Sequence, residues 1–130
     1  MTDRLGRAGL HIHTVASDGT STVIEILEHV ERATDLDVIA IADHERIDAA
    51  LAGRDIARRR GYRFEVVIGE EVTTLGGHLL ALFLEARVRP LRSLRRTILE
   101  IHEQGGLAIP AHPLSLPSRL KRFRWSGGRS

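Results

Sequence analysis

Two hydrophobic periodicities alternate along this chain, and their alternation restricts the fold more than any other feature. Val38-Ile39-Ala40-Ile41-Ala42 is a continuous apolar run. That pattern belongs to a strand buried on both faces. Phe64 to Ile68, ending at Gly69, and Leu79 to Leu84, following Gly76-Gly77, read the same way. Leu10 to His13 and Leu107-Ala108-Ile109 give shorter strands at either end. Between the strands the period changes to that of a helix. Val23, Ile24, Leu27 and Val30 form one apolar stripe, after a Thr22-x-x-Glu25 capping box. Ile47, Ala50, Leu51 and Ala57 form a second over about 46–60, closed by Gly61. Leu91, Leu94, Ile98 and Ile101 form a third, ended by Gly105-Gly106. About five strands and three helices in this order predict an α/β sheet or barrel with parallel strands.

The polar residues fall where such a fold builds sites. His11 and His13 close the first strand, and strand alternation aims both imidazoles the same way. Asp43-His44 follows the second strand and Glu70-Glu71 the third. His78 opens the fourth, and Ala111-His112-Pro113 follows the last. Parallel α/β folds gather active sites at the C-terminal ends of their strands. Five of the seven histidines lie at strand edges, where neutral imidazoles suit a divalent metal. The chain has no cysteine, so any metal must rest on His, Asp and Glu.

Other polar residues have plainer readings. His29 and His102 lie in helices without matching partners and read as surface or packing residues. Asp43 reads as a cap for the helix after its strand. Asp18 is either a ligand or the turn former of Asp18-Gly19. The Arg58-Arg59-Arg60 run reads as a solvated helix end.

The overall charge conceals an asymmetry. Formal net charge is +2 over 130 residues, from 19 basic and 17 acidic side chains. Arg119, Lys121, Arg122, Arg124 and Arg129 supply five of the 19, which leaves 14 against 17 acids in residues 1–118, or −3. The basic character therefore belongs to residues 118–130, read as a disordered tail, and residues 1–117 form the domain. With one Trp, one Tyr and three Phe, the chain offers little for stacking bases, so a nucleic-acid partner is not expected. No apolar run reaches membrane-span length and no signal-peptide core is present, which predicts a cytoplasmic protein without a membrane partner.

The chain resembles the PHP family (polymerase and histidinol phosphatase). The resemblance rests on His11-x-His13, Ser17-Asp18-Gly19, Asp43-His44, Gly69-x-Glu71, Gly77-His78 and Ala111-His112-Pro113, in that order, from Gly9 to Pro113. It implies a distorted (β/α)7 TIM-like barrel, here incomplete, holding two or three divalent metals such as Mn, Zn or Fe. It implies the metal ligands His11, His13, Asp18, His44, Glu71, His78 and His112, with Glu71 bridging and His44 or His112 as candidate catalytic acids. The implied activity is hydrolysis of a small phosphomonoester or nucleotide by a metal-activated water. The family's late Asp-x-His pair has no counterpart after Pro113. Three functions therefore stay open: a metal-dependent phosphoesterase, a catalytically inactive truncated PHP fragment, and a nucleic-acid-associated PHP module. An unclosed sheet also predicts self-association through its edge.

Overall fold

The computed structural model describes residues 5–111. Its elements run β1 (Ala8–Ile12), α1 (Val23–Ala33), β2 (Val38–Ile41), α2 (Asp48–Arg60), β3 (Glu65–Thr74), β4 (Gly77–Leu82), α3 (Leu94–Glu103) and β5 (Leu107–Pro110). The five strands form one sheet in the order β1-β2-β3-β4-β5. The sheet is a curled, incomplete barrel. His112 and the basic tail at 118–130 lie outside the described residues.

Local chemistry sets the helix limits. Thr22 Oγ1 accepts the Glu25 N–H and the Glu25 carboxylate accepts the Thr22 N–H, which completes the capping box of α1. Gly61 ends α2 in the left-handed conformation at φ 66°, and its N–H returns to the Arg58 carbonyl. Ser93 caps α3 by accepting the Arg96 N–H. The third stripe starts later than its periodicity predicts. Leu91 is exposed, holds a left-handed φ of 60°, and donates its N–H to the Thr73 carbonyl. Ile24, predicted to line the first stripe, is also exposed, and Ile26 packs on the core in its place.

The main core lies between the sheet and the helices. Leu27 and Val30 of α1, Ala50 and Ala57 of α2, and Ile101 of α3 pack on Ile39, Ile41, Val66, Ile68 and Val72. The opposite face of the sheet holds Ala40, Ala42, Leu80 and Leu82. Strand β2 is thus buried on both sides, as its continuous apolar run requires.

One expectation fails. Strands β1, β2 and β3 pair in parallel, but β4 pairs antiparallel with both β3 and β5. Only Leu75 and Gly76 separate β3 from β4. A parallel crossover needs a dozen or more residues, so only a hairpin fits. The hairpin also corrects the limits of β3. That strand continues through Glu70 and Glu71 to Thr74, so both glutamates lie within it and not after it.

Candidate metal centre

Two loops and one hairpin meet at one end of the sheet. His11 sits in β1 and His13 just beyond it, His44 follows β2, Glu71 lies in β3, and His78 is the second residue of β4. Because β4 runs antiparallel, its start lies beside the end of β3. In the ladder His78 pairs with Thr73, two residues from Glu71 along the same face. Asp18 reaches the group from the loop after β1. That loop folds back so tightly that a Cβ on Gly19 would lie 2.3 Å from the His13 carbonyl oxygen. Only glycine fits there.

Glu71 is the centre of the arrangement. Its side chain is fully buried. Oε1 pairs with His11 Nε2 and lies 3.5 Å from His13 Nε2. Oε2 lies 3.0 Å from His44 Nδ1 and 2.9 Å from His78 Nδ1. Each oxygen therefore serves a different pair of imidazoles. The Nε2 atoms of His11 and His13 stand 3.0 Å apart. Asp18 closes the outer side, with Oδ2 3.0 Å from His44 Nε2 and Oδ1 3.4 Å from His13 Nδ1. The His13 and His44 rings stack, with centroids 4.7 Å apart and an interplanar angle of 7°.

The electrostatics follow from this geometry. Burial would push the Glu71 carboxyl up, but hydrogen bonds from His78 and His11 and the charges of His44 and His11 outweigh it. Its pKa lies below the ordinary value. Asp18 is shifted the same way, since His13 and His44 overcome a burial effect of opposite sign. Both carboxyls are held as anions.

The donor set suits a divalent cation. His11, His13 and Glu71 form one group with donor atoms within 4.8 Å of one another. His13, Asp18 and His44 form a second, and His44, Glu71 and His78 a third. The three groups share corners at His13, His44 and Glu71. All six donors are imidazole nitrogens or carboxylate oxygens, the ligand types of Zn, Mn and Fe sites. Six of the seven residues expected from the sequence are thus brought together, and His112 lies outside the described residues.

Residues behind this group escaped the sequence reading. Asp43 caps no helix, because the N-cap position of α2 is Ile47. Its side chain is buried, accepting the Thr14 N–H at 2.6 Å, the Thr14 hydroxyl at 2.7 Å and the Ser17 hydroxyl at 2.6 Å. Glu45 adopts a left-handed φ of 54° immediately after His44. Its carboxylate accepts the Thr73 N–H at 2.8 Å and its N–H donates to the Glu71 carbonyl at 3.2 Å. These bonds hold a backbone conformation that a non-glycine residue rarely adopts. The sequence does not separate this role of Asp43 from a helix cap, because its donors Thr14 and Ser17 lie 29 and 26 residues away along the chain.

Comparison with known proteins places this geometry in context. No family model matches the chain. An uncharacterized protein of Methanocaldococcus jannaschii is 36% identical over 120 residues, spanning 84% of this chain and 68% of its own length. A solved two-domain protein of Bacteroides vulgatus, described as containing a predicted PHP-like metal-dependent phosphoesterase, superposes with a TM-score of 0.67 at 20% identity over 78% of this chain. A Bifidobacterium adolescentis protein, provisionally described as a metal-dependent phosphoesterase, shares 28% identity over 61% of this chain, with a TM-score of 0.53. The chain has the fold of PHP-like metal-dependent phosphoesterases. An amidohydrolase of Chromobacterium violaceum, solved with sulfate and no metal, shares the fold at 23% identity over 75% of this chain and a TM-score of 0.51. This chain spans 33%, 28% and 33% of the lengths of those three solved chains. Among the described residues, no helix is long and apolar enough to cross a membrane.

Proposed function

We propose that this chain is a PHP-family metal-dependent phosphoesterase acting on a small phosphomonoester or nucleotide. The observation that carries the reading is Glu71, a buried carboxylate whose two oxygens are divided between two pairs of imidazoles. A buried anion among four imidazoles suits a bridge between cations, since its charge offsets their mutual repulsion. His11, His13 and Glu71 would hold one cation, His44, Glu71 and His78 another, and Asp18 with His13 and His44 offers a third position. Divalent metal bound there supplies Lewis acidity toward a water nucleophile and toward phosphate oxygens.

The protein's own residues orient that chemistry. Glu71 and Asp18 stay ionised at neutral pH and keep the imidazoles aimed inward. Both nitrogens of His44 face carboxylates, which supports a ligand role for it over that of a general acid. A negative balance over residues 1–118 opposes a polyanionic nucleic acid and suits a small substrate. A cysteine-free sequence agrees with a cytoplasmic setting. Self-association is supported by β5, an edge strand of the sheet whose Leu107 and Ile109 are exposed.

The test is hydrolysis of a chromogenic phosphomonoester by the purified chain, with and without a chelator. Activity restored by Mn²⁺ or Zn²⁺ and absent in Glu71→Ala supports the reading. Turnover that survives both the chelator and Glu71→Ala contradicts it. Tight metal binding without turnover on any phosphoester would identify a catalytically inactive PHP fragment. Salt-dependent DNA binding that disappears without residues 119–130 would favour the nucleic-acid module.

A further inference from the structure

We infer that Asp43 is a positioning residue for the metal centre, one that holds the Asp18 edge of the cluster against His44. The inference rests on the metal-site reading above, but concerns a carboxylate outside the three ligand groups.

Asp43 joins three ligand-bearing segments. Its own backbone precedes His44 directly. Its carbonyl accepts the Glu71 N–H at 3.0 Å, tying the end of β2 to β3. Its carboxylate, 1% exposed as a residue, takes three donors from the loop that carries His13 and Asp18. Both oxygens are used: Oδ1 by the Thr14 N–H and the Ser17 hydroxyl, Oδ2 by the Thr14 hydroxyl. Thr14 in turn organises the loop. Its hydroxyl accepts the Ala16 N–H at 3.1 Å, and its carbonyl accepts the N–H groups of Ser17 and Gly19 at 3.1 and 2.9 Å. Arg46 braces the same loop from the other side through the Ala16 carbonyl at 3.0 Å.

The consequence falls on Asp18. Its side chain is 62% exposed, so little packing fixes it. What fixes its backbone is the turn through Thr14, Ser17 and Gly19, and that turn is anchored on Asp43. A buried carboxylate with three donors, two of them hydroxyls from one loop, is a stiff anchor, since charge-assisted hydrogen bonds are short and strong. Groups of this kind behind metal ligands typically change affinity about 10–100-fold when removed.

Mn²⁺ or Zn²⁺ titrated into the metal-stripped full chain by calorimetry tests the inference, alongside thermal unfolding of the unloaded proteins. Asp43→Asn keeps the shape but removes an acceptor and the charge. It is expected to weaken metal binding by about ten-fold or more while the unloaded chain stays folded. Ser17→Ala, which removes one of the three donors, should give a smaller loss in the same direction, and carries the test if Asp43→Asn does not fold. In an Asp18→Ala background, Asp43→Asn should change affinity by less than about two-fold, because the ligand it positions is gone. A lower melting temperature with unchanged affinity in both variants would make Asp43 merely structural and overturn the inference. A full ten-fold loss persisting without Asp18 would overturn it as well. A wild-type chain that binds no metal would overturn the metal-site reading itself, and is recognisable as a different failure.

Discussion

Replacing Glu70 with glutamine should flatten the pH dependence of this fold's stability. Glu70 and Glu71 are neighbours in β3, so strand alternation sends them to opposite faces. Glu71 enters the histidine cluster, whereas Glu70 is fully buried on the other side. There Oε1 accepts the Val88 N–H at 2.8 Å, while Oε2 has no hydrogen-bond partner and lies 3.8 Å from the half-exposed Arg87. Burial dominates, offset in part by the Val88 N–H and Arg87, and the carboxyl is pushed up to about 7 from an ordinary 4.5. Below pH 4.5 the group is protonated in both folded and unfolded chains and carries no penalty. As the pH rises from there toward 7, the unfolded chain ionises first and folding loses stability. Above 7 the loss is complete, about 3 kcal/mol at about 1.4 kcal/mol per pH unit. That is a large share of a typical domain's stability, and corresponds to roughly 10–20 °C in melting temperature. The Gln amide lacks an acceptor there, which costs about 1 kcal/mol. Thermal or urea unfolding of metal-free wild type and Glu70→Gln between about pH 5 and pH 8 measures the difference. The variant should be equal or slightly weaker at the acid end, and more stable by about 2 kcal/mol at the alkaline end. A stability difference that does not change with pH would refute this account of Glu70.

Leu27→Ala should cost about 3–4 kcal/mol by urea unfolding, because Leu27 is fully buried where α1 meets the sheet. Thr22→Ala removes the capping box of α1 and should cost about 1 kcal/mol in the same assay. Glu71→Ala should remove most metal binding in a calorimetric titration, since Glu71 belongs to two of the three ligand groups, whereas His11→Ala should cost the one cation position that includes His11. His29→Ala should leave both metal binding and stability unchanged, because His29 is exposed on α1.

Much of this architecture is legible in the sequence because burial leaves a period behind. The run from Val38 to Ala42 predicts a doubly buried strand, and its residues face the helices and the opposite side alternately. The clustering of His11, His13, His44, Glu71 and His78 follows from their places at the same end of the sheet. The direction of β4 could have been read from the two-residue gap between β3 and β4, too short for any crossover. Leu91 departs from the helical stripe because helical spacing says nothing of backbone dihedrals, and its left-handed φ interrupts the stripe. Asp43 was hidden for a different reason. An acid before a helix predicts a cap, and only the fold shows Thr14 and Ser17 returning from 26 to 29 residues away to satisfy it.

Metal content per chain is the most direct test of the centre built around Glu71. Elemental analysis of the purified, dialysed protein should find at least one equivalent of Zn, Mn or Fe, most of it lost in Glu71→Ala. A folded protein with metal near zero, and no uptake on titration with those ions, would contradict the claim that these six side chains form a metal centre.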